Sequence, residues 1–318
     1  MAVDAIKLGA YEFVEKPFKS ERLILSVSRA LEVKIIREEN KELREINFSK
    51  QKFIGSSVIS TRIKDIINKI APTSSRILLT GESGTGKDLI AREIHSKSLF
   101  KDGPFVVINA SLLEPSGIEN ELFGVEKNGI ITHTGIFEKA NKGTLFIDEI
   151  AEMPMQSQVK ILRILTEQSF IRIGGEKIIK IETRVLSSSS KDLINAIDKN
   201  LFRKDLYHRL NVVELKLPRL VDRMGDIDEL IEYFSNNFIT ENNLPYVDIR
   251  SIIKTRYLHH DWPGNIRELR NSIERELIMG EKHDTLNNNK LNSDFDHNNV
   301  ISMPIKNARE IFEKNYLF

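Results

Sequence analysis

Arg76-Ile77-Leu78-Leu79-Thr80-Gly81-Glu82-Ser83-Gly84-Thr85-Gly86-Lys87-Asp88 is an apolar run that breaks into a glycine-rich turn and closes on a lysine and an acid. The run Arg76–Thr80 reads as a buried strand, and the segment Lys87–Lys97 beyond the glycines reads as a helix. Strand, glycine turn and helix in that order build a cradle for phosphate. Gly81, Gly84 and Gly86 let the backbone curl, so that the N–H groups of Gly81, Glu82, Ser83, Gly84, Thr85 and Gly86 point inward. The helix start adds positive dipole, and Lys87 supplies a mobile charge for β- and γ-phosphates. The residue after such a lysine ordinarily carries a hydroxyl for Mg²⁺. Here it is Asp88, whose carboxylate can hold the ion directly or through water.

Outward from this loop, short apolar runs alternate with helical segments. Phe105–Asn109, Thr144–Asp148, Thr183–Ser187 and Val212–Leu217 read as strands, and Gln156–Gln168 as a helix. Buried strands alternating with helices predict an α/β fold, a parallel sheet covered on both faces. One strand, Leu145-Phe146-Ile147-Asp148-Glu149, ends in two acids. Alone that is only a strand reaching solvent. Downstream of a phosphate loop in one sheet, it is the acid pair of P-loop ATPases: Asp148 orients Mg²⁺ and its water, and Glu149 polarises the attacking water. After Asp226 the pattern becomes helical over Asp226–Ile239, Asp248–Leu258 and Asn265–Met279, with Ile266, Leu269, Ile273 and Leu277 on one face of the last. A smaller helical domain is expected there.

Composition excludes several classes. Lys and Arg total 47 against 46 Asp and Glu, so no overall basic field points to nucleic acid. No cysteine is present, which rules out disulfides, thiolate metal sites and a Cys nucleophile. No apolar run reaches the roughly 18 residues of a membrane span, and the first residues lack a signal-peptide pattern. The expectation is a cytoplasmic protein without a membrane partner. The seven histidines fall without metal-ligand spacing.

The motifs together resemble the central AAA+ domain of the NtrC family of bacterial response regulators, from about Phe53 to Met279. GESGTGKD (Gly81–Asp88), ELFG (Glu121–Gly124), GTLFIDEI (Gly143–Ile150), RIGG (Arg172–Gly175), FRKDLYHRLNV (Phe202–Val212) and WPGNIREL (Trp262–Leu269) stand in the family's order. The resemblance implies an AAA+ P-loop sheet followed by a helical lid, with ATP and Mg²⁺ as ligands and Asp148 and Asp88 at the metal. An acid after the P-loop lysine is normal in this family. The resemblance further implies a ring of subunits, a hexamer or heptamer, with ATP at each interface. It casts Arg203 and Arg209 as fingers acting on a neighbour's nucleotide, Arg267 as the lid arginine, and Asn109 as the residue restraining Glu149.

It also divides the chain. Residues 1–33 resemble the last strand and helix of a receiver domain, with Lys16 in its EKPF segment, and 34–50 a linker helix with an apolar stripe. The ATPase domain is expected over 51–222, the lid over 223–280, a flexible Asn- and Asp-rich linker over 281–300, and the start of a Fis-like DNA-binding domain over 301–318. Both ends read as cut, so DNA would be a partner only if the missing helices came from elsewhere.

Two departures from the family pattern bear on function. The GAFTGA loop that touches the sigma-54 factor is replaced by the shorter Val125–Gly135 stretch, which argues against the usual remodelling of sigma-54 polymerase. The strand that ordinarily ends on an Asn sensing the γ-phosphate reads Ser187-Ser188-Ser189-Ser190, leaving Ser190 at that place. Both are similar to the family's NtrX branch. The expected function is an ATP-binding regulator module with weak or no remodelling activity. Two other readings stay open: a nucleotide-dependent assembly protein, and the product of a decayed regulator gene.

Overall fold

The computed structural model describes residues 53–279 except 113–116, 246–247 and 257–259, together with Glu12 and a helical stretch within 20–35 that omits 22 and 33. The expectations for the receiver strand, for the linker helix beyond 35 and for 281–318 lie outside the described residues. The chain divides into two compact units at Arg219/Leu220. No helix among the described residues is long and apolar enough to cross a membrane.

From residue 53 on, the first unit begins with α1 (Val58–Ile70), capped by the Ser57 hydroxyl, which accepts from the Ser60 amide at 3.2 Å. There follow β1 (Ile77–Thr80), α2 (Lys87–Ser96), β2 (Phe105–Asn109), α3 (Ile118–Phe123), β3 (Gly124–Lys127), β4 (Ile130–Thr134), α4 (Ile136–Lys139) and β5 (Thr144–Asp148). After these come α5 (Met155–Glu167), β6 (Ser169–Ile171), β7 (Ile178–Lys180), β8 (Arg184–Ser189), α6 (Leu193–Asp198), α7 (Lys204–Leu210) and β9 (Val213–Lys216). Five strands form one sheet in the order β2-β5-β8-β1-β9, every pair parallel.

The side-chain alternation of the strands sends successive residues to opposite faces. Leu145 and Ile147 therefore enter a core with Ile161 and Leu165 of α5 and with Leu206 and Leu210 of α7. Phe146, between them, joins Ile63 and Ile67 of α1 and Ile90 and Ile94 of α2 on the other side. Burying each such side chain stabilises by about 1.5–3 kcal/mol, so both faces of the sheet are sealed and only the strand ends remain for chemistry.

The stretch expected as a shortened loop is a β-hairpin. Strands β3 and β4 pair antiparallel around Asn128 (φ 51°) and Gly129 (φ 77°). Two consecutive left-handed residues of this type are the two-residue turn whose twist suits adjacent strands. Buried Arg172 fastens the hairpin to its surroundings, with ion pairs to Glu126 at 3.0 Å and Glu138 at 2.8 Å. Gly174 and Gly175 of the same RIGG segment run close against Glu126, where added Cβ atoms would lie 2.6 and 3.1 Å from its nearest atoms.

The second unit is helical: a 3₁₀ segment Leu220–Asp226, then α8 (Ile227–Asn242), α9 (Arg250–Arg256) and α10 (Asn265–Met279). Trp262 and Asn265 both take positive φ (49° and 51°), and both are buried. The Asn265 carboxamide accepts from the Leu220 amide at 2.8 Å, and the Glu268 carboxylate accepts from the Gly264 amide at 2.8 Å. Trp262 and Asn265 of the WPGNIREL segment thus make the corner that starts α10 and tie it to the beginning of its own unit.

Candidate active site

The site forms where β1, β5 and β8 deliver their C-terminal ends side by side. Past β1, Gly81, Gly84 and Gly86 take φ of 146°, 80° and 98°, conformations that suit residues without a Cβ. A Cβ on Gly81 would lie 2.8 Å from the Leu217 carbonyl oxygen. Inside the turn the buried Thr85 hydroxyl donates to the Glu82 carbonyl at 2.8 Å. The turn delivers the chain into α2, whose first residue is Lys87.

The Lys87 side chain is buried and folded back over its own loop. Its ammonium donates to the Gly81 and Glu82 carbonyls at 2.9 and 3.2 Å, and lies 3.4 Å from Glu149 Oε1. Asp88, one residue on, is exposed and accepts from Arg92 Nε at 3.1 Å, one helical turn away.

Asp148 is the last residue of β5, and Glu149 turns off the strand in the left-handed region (φ 52°, ψ 52°). The adjacent end of β8 holds both acids. Ser188 Oγ donates to Asp148 Oδ1 and accepts the Glu149 amide at 3.0 Å. The Ser190 amide and hydroxyl donate to Glu149 Oε2 at 2.8 and 2.7 Å. Burial pushes the Glu149 carboxyl up, but the Ser190 donors and the Lys87 ammonium outweigh it, and the group sits below the ordinary glutamate range.

Two residues have partners that the sequence did not indicate. Asn109 Nδ2 donates to Asp148 Oδ2 at 3.3 Å. The reason is register, since Asn109 is the direct cross-strand partner of Asp148 in the β2·β5 ladder, whereas Glu149 has already left the strand. Ser190, expected to face a γ-phosphate, hydrogen-bonds Glu149.

Arg203 and Arg209 sit at either end of α7, and among the described residues neither has an ion pair or hydrogen bond to Lys87, Asp148 or Glu149. Arg203 pairs with Asp205 at 2.6 Å, an exposed contact that raises the guanidinium and lowers the carboxyl. Arg209 donates to the Leu165 carbonyl at 3.1 Å, and Arg76 donates to the same oxygen. Both arginines line a cavity of about 1020 Å³ with Lys142 and Arg184. Arg267 lies in the first turn of α10, in the second unit. The structure thus gathers Lys87, Asp148, Glu149, Asn109 and Ser190 with the glycine loop, and keeps Asp88, Arg203 and Arg209 on other partners.

Ser188 is the residue that sequence reading missed. A signal was there: a buried strand that stays polar at every one of its last three positions needs partners for those hydroxyls.

Comparison with known proteins agrees with this architecture. Residues 53–216 match the Sigma-54 interaction domain, and 221–306 the AAA+ ATPase lid domain. The nitrogen assimilation regulatory protein NtrX of Azorhizobium caulinodans is 40% identical over 99% of this chain, which spans 72% of that protein. The crystal structure of Brucella abortus NtrX in complex with ADP is similar with a TM-score of 0.73 at 40% identity, covering 99% of this chain and 73% of that one. The same protein in complex with ATP gives a TM-score of 0.72 at 39% identity, with coverage of 99% and 72%. With its parallel P-loop sheet, its helical lid and relatives of this closeness, the chain belongs to the NtrC family of sigma-54-dependent response regulators, in its NtrX branch.

Proposed function

We propose that this chain binds ATP with Mg²⁺ at the strand ends described above and turns it over slowly within a ring of like subunits. The observation that carries the reading is the convergence of Lys87, Asp148 and Glu149 in one hydrogen-bonded group beside a loop of three left-handed glycines. The residues fit the ligand. The glycine loop has the curl that turns amides toward phosphate oxygens, and Gly81 runs too close to Leu217 for any side chain. Mg²⁺ keeps several waters and takes one or two carboxylates together with phosphate oxygens; Asp148 is placed to be one, with Asp88 the second after a turn away from Arg92. When bound, the ion supplies charge neutralisation on the phosphates. Glu149 holds the water that attacks, and Lys87 exchanges its loop carbonyls for phosphate. The ADP and ATP complexes of the Brucella relative support the same ligand here.

In this reading Arg203 and Arg209 act on a neighbouring subunit's nucleotide, and Arg267 serves as the lid arginine. The two-residue turn at Asn128-Gly129 supports weak or absent sigma-54 remodelling, because it leaves no long loop at the hairpin tip. In this reading the protein acts in the cytoplasm.

Calorimetry tests the proposal. Wild-type protein is expected to bind Mg-ATP, Lys87→Ala to lose binding by at least tenfold, and Glu149→Gln to bind while losing turnover. Wild-type protein without affinity for Mg-ATP sinks it. A second reading, a nucleotide-dependent assembly protein, is favoured by the same short hairpin. It predicts assembly on adding a non-hydrolysable ATP analogue with no rise in turnover.

A further inference from the structure

The closing residues of β8 and the residue after it are four serines, Ser187–Ser190, and a buried strand end is a costly place for hydroxyls unless each finds a partner. Two of them find theirs on the acids. Ile147 and Ser187 are cross-strand neighbours in the β5·β8 ladder, so one step on, Asp148 meets Ser188. The Ser188 hydroxyl then does two things at once: it donates to Asp148 Oδ1 and accepts the amide of Glu149. One oxygen atom thereby ties the carboxylate of the first acid to the backbone of the second.

Ser189 faces the other way. Its hydroxyl donates to the Lys191 carbonyl at 2.7 Å and accepts the Lys191 amide at 3.2 Å, which curls the chain at the strand end. That curl brings the amide and the hydroxyl of Ser190 onto a single oxygen, Glu149 Oε2. The other oxygen, Oε1, faces Lys87. Glu149 is therefore gripped at its backbone by Ser188, at one carboxylate oxygen by Ser190 and at the other by the loop lysine. A lysine that moves to a phosphate leaves the two serines as the grip that remains.

We propose that Ser188 and Ser190 are positioning residues, a pair of hydroxyl clamps that set the orientation of Asp148 and Glu149 relative to each other, Ser190 holding the water-polarising carboxylate in place of a nucleotide sensor. The proposal rests on the ATPase reading for its consequence, but the clamps themselves are testable without nucleotide. In nucleotide-free protein, double-mutant cycles read them directly. Ser188→Ala lowers Tm by about 2–4 °C, the size expected for losing a hydrogen bond to a charged group in a protein of this size. The loss shrinks in an Asp148→Ala background, where only the hydrogen bond to the Glu149 amide is left to lose. Ser190→Ala shows a smaller loss that vanishes in Glu149→Ala, and Ser190→Thr, which keeps the hydroxyl, restores the wild-type value. Equal losses with and without the acids overturn the clamps.

On turnover, Ser190→Ala lowers kcat by about tenfold to a hundredfold with KM nearly unchanged, since a displaced catalytic group costs rate rather than binding. A matched change in KM alone also counts against the assignment. Failure of the underlying reading looks different: wild-type protein then shows no Mg-ATP affinity in the calorimeter, whatever the cycles report.

Discussion

Gly81 shows how much of the site is decided by single atoms. Its φ of 146° and the 2.8 Å approach to the Leu217 carbonyl leave no room for a methyl group. Gly81→Ala is expected to cost about 1–3 kcal/mol from backbone strain alone and to open the turn that carries Lys87. Thermal denaturation reads the first effect, and calorimetry with Mg-ATP reads the second as a loss of affinity. That Lys87, Asp148 and Glu149 share one site was legible in the sequence, because a glycine-rich turn after one strand and an acid pair after another place them at the same sheet end. The partners of those side chains were not. That Asn109 bonds Asp148 rather than Glu149 depends on the β2·β5 register, and that Ser188 bridges two acids depends on the β5·β8 register. Neither register is written in any one segment.

At the scale of elements, buried Arg184 is the side chain with most to lose. It opens β8 and donates to the carbonyls of Ile70, Ala71 and Ser75 at 2.9, 2.7 and 3.3 Å, capping the C-terminal end of α1. Burial pushes its guanidinium down to about 10, still charged at neutral pH. Arg184→Ala leaves those carbonyls orphaned beside a hole, and a loss of about 2–4 kcal/mol is expected, read as a fall in Tm. Arg172 plays the corresponding part for the hairpin: Glu138 and Glu126 hold its guanidinium above the ordinary range, with burial opposing them. Arg172→Ala should speed amide hydrogen exchange in β3 and β4 without changing it in β1 or β5. Strands β1, β2 and β5 were readable because each is mainly a run of apolar residues, whereas β8 extends past the expected Ser187 to Ser189 through serines. The hairpin was not, because Ile130 and Ile131 are exposed and the pattern carries no buried face. Its one legible mark is the Asn128-Gly129 pair at the turn.

For the whole molecule, the units on either side of Arg219/Leu220 correspond to the two matched family regions. A ring of subunits predicts that sedimentation shifts to a larger species when a non-hydrolysable ATP analogue is added, and that Lys87→Ala stays at the smaller one. Arg209→Ala is expected to preserve nucleotide affinity while lowering turnover more than tenfold, because its effect would be felt by a neighbour. A concentration-independent turnover would speak against this. The alternation in β5 has a last implication, for how such a chain can change over time. Leu145, Phe146 and Ile147 commit to opposite cores in turn, so deleting a single codon within this strand would draw Asp148 into the buried place of Ile147, and inserting one would push both acids past the serines that hold them. Length variation can accumulate in the connections, but the five residues before the turn cannot gain or lose one without moving both acids off their partners.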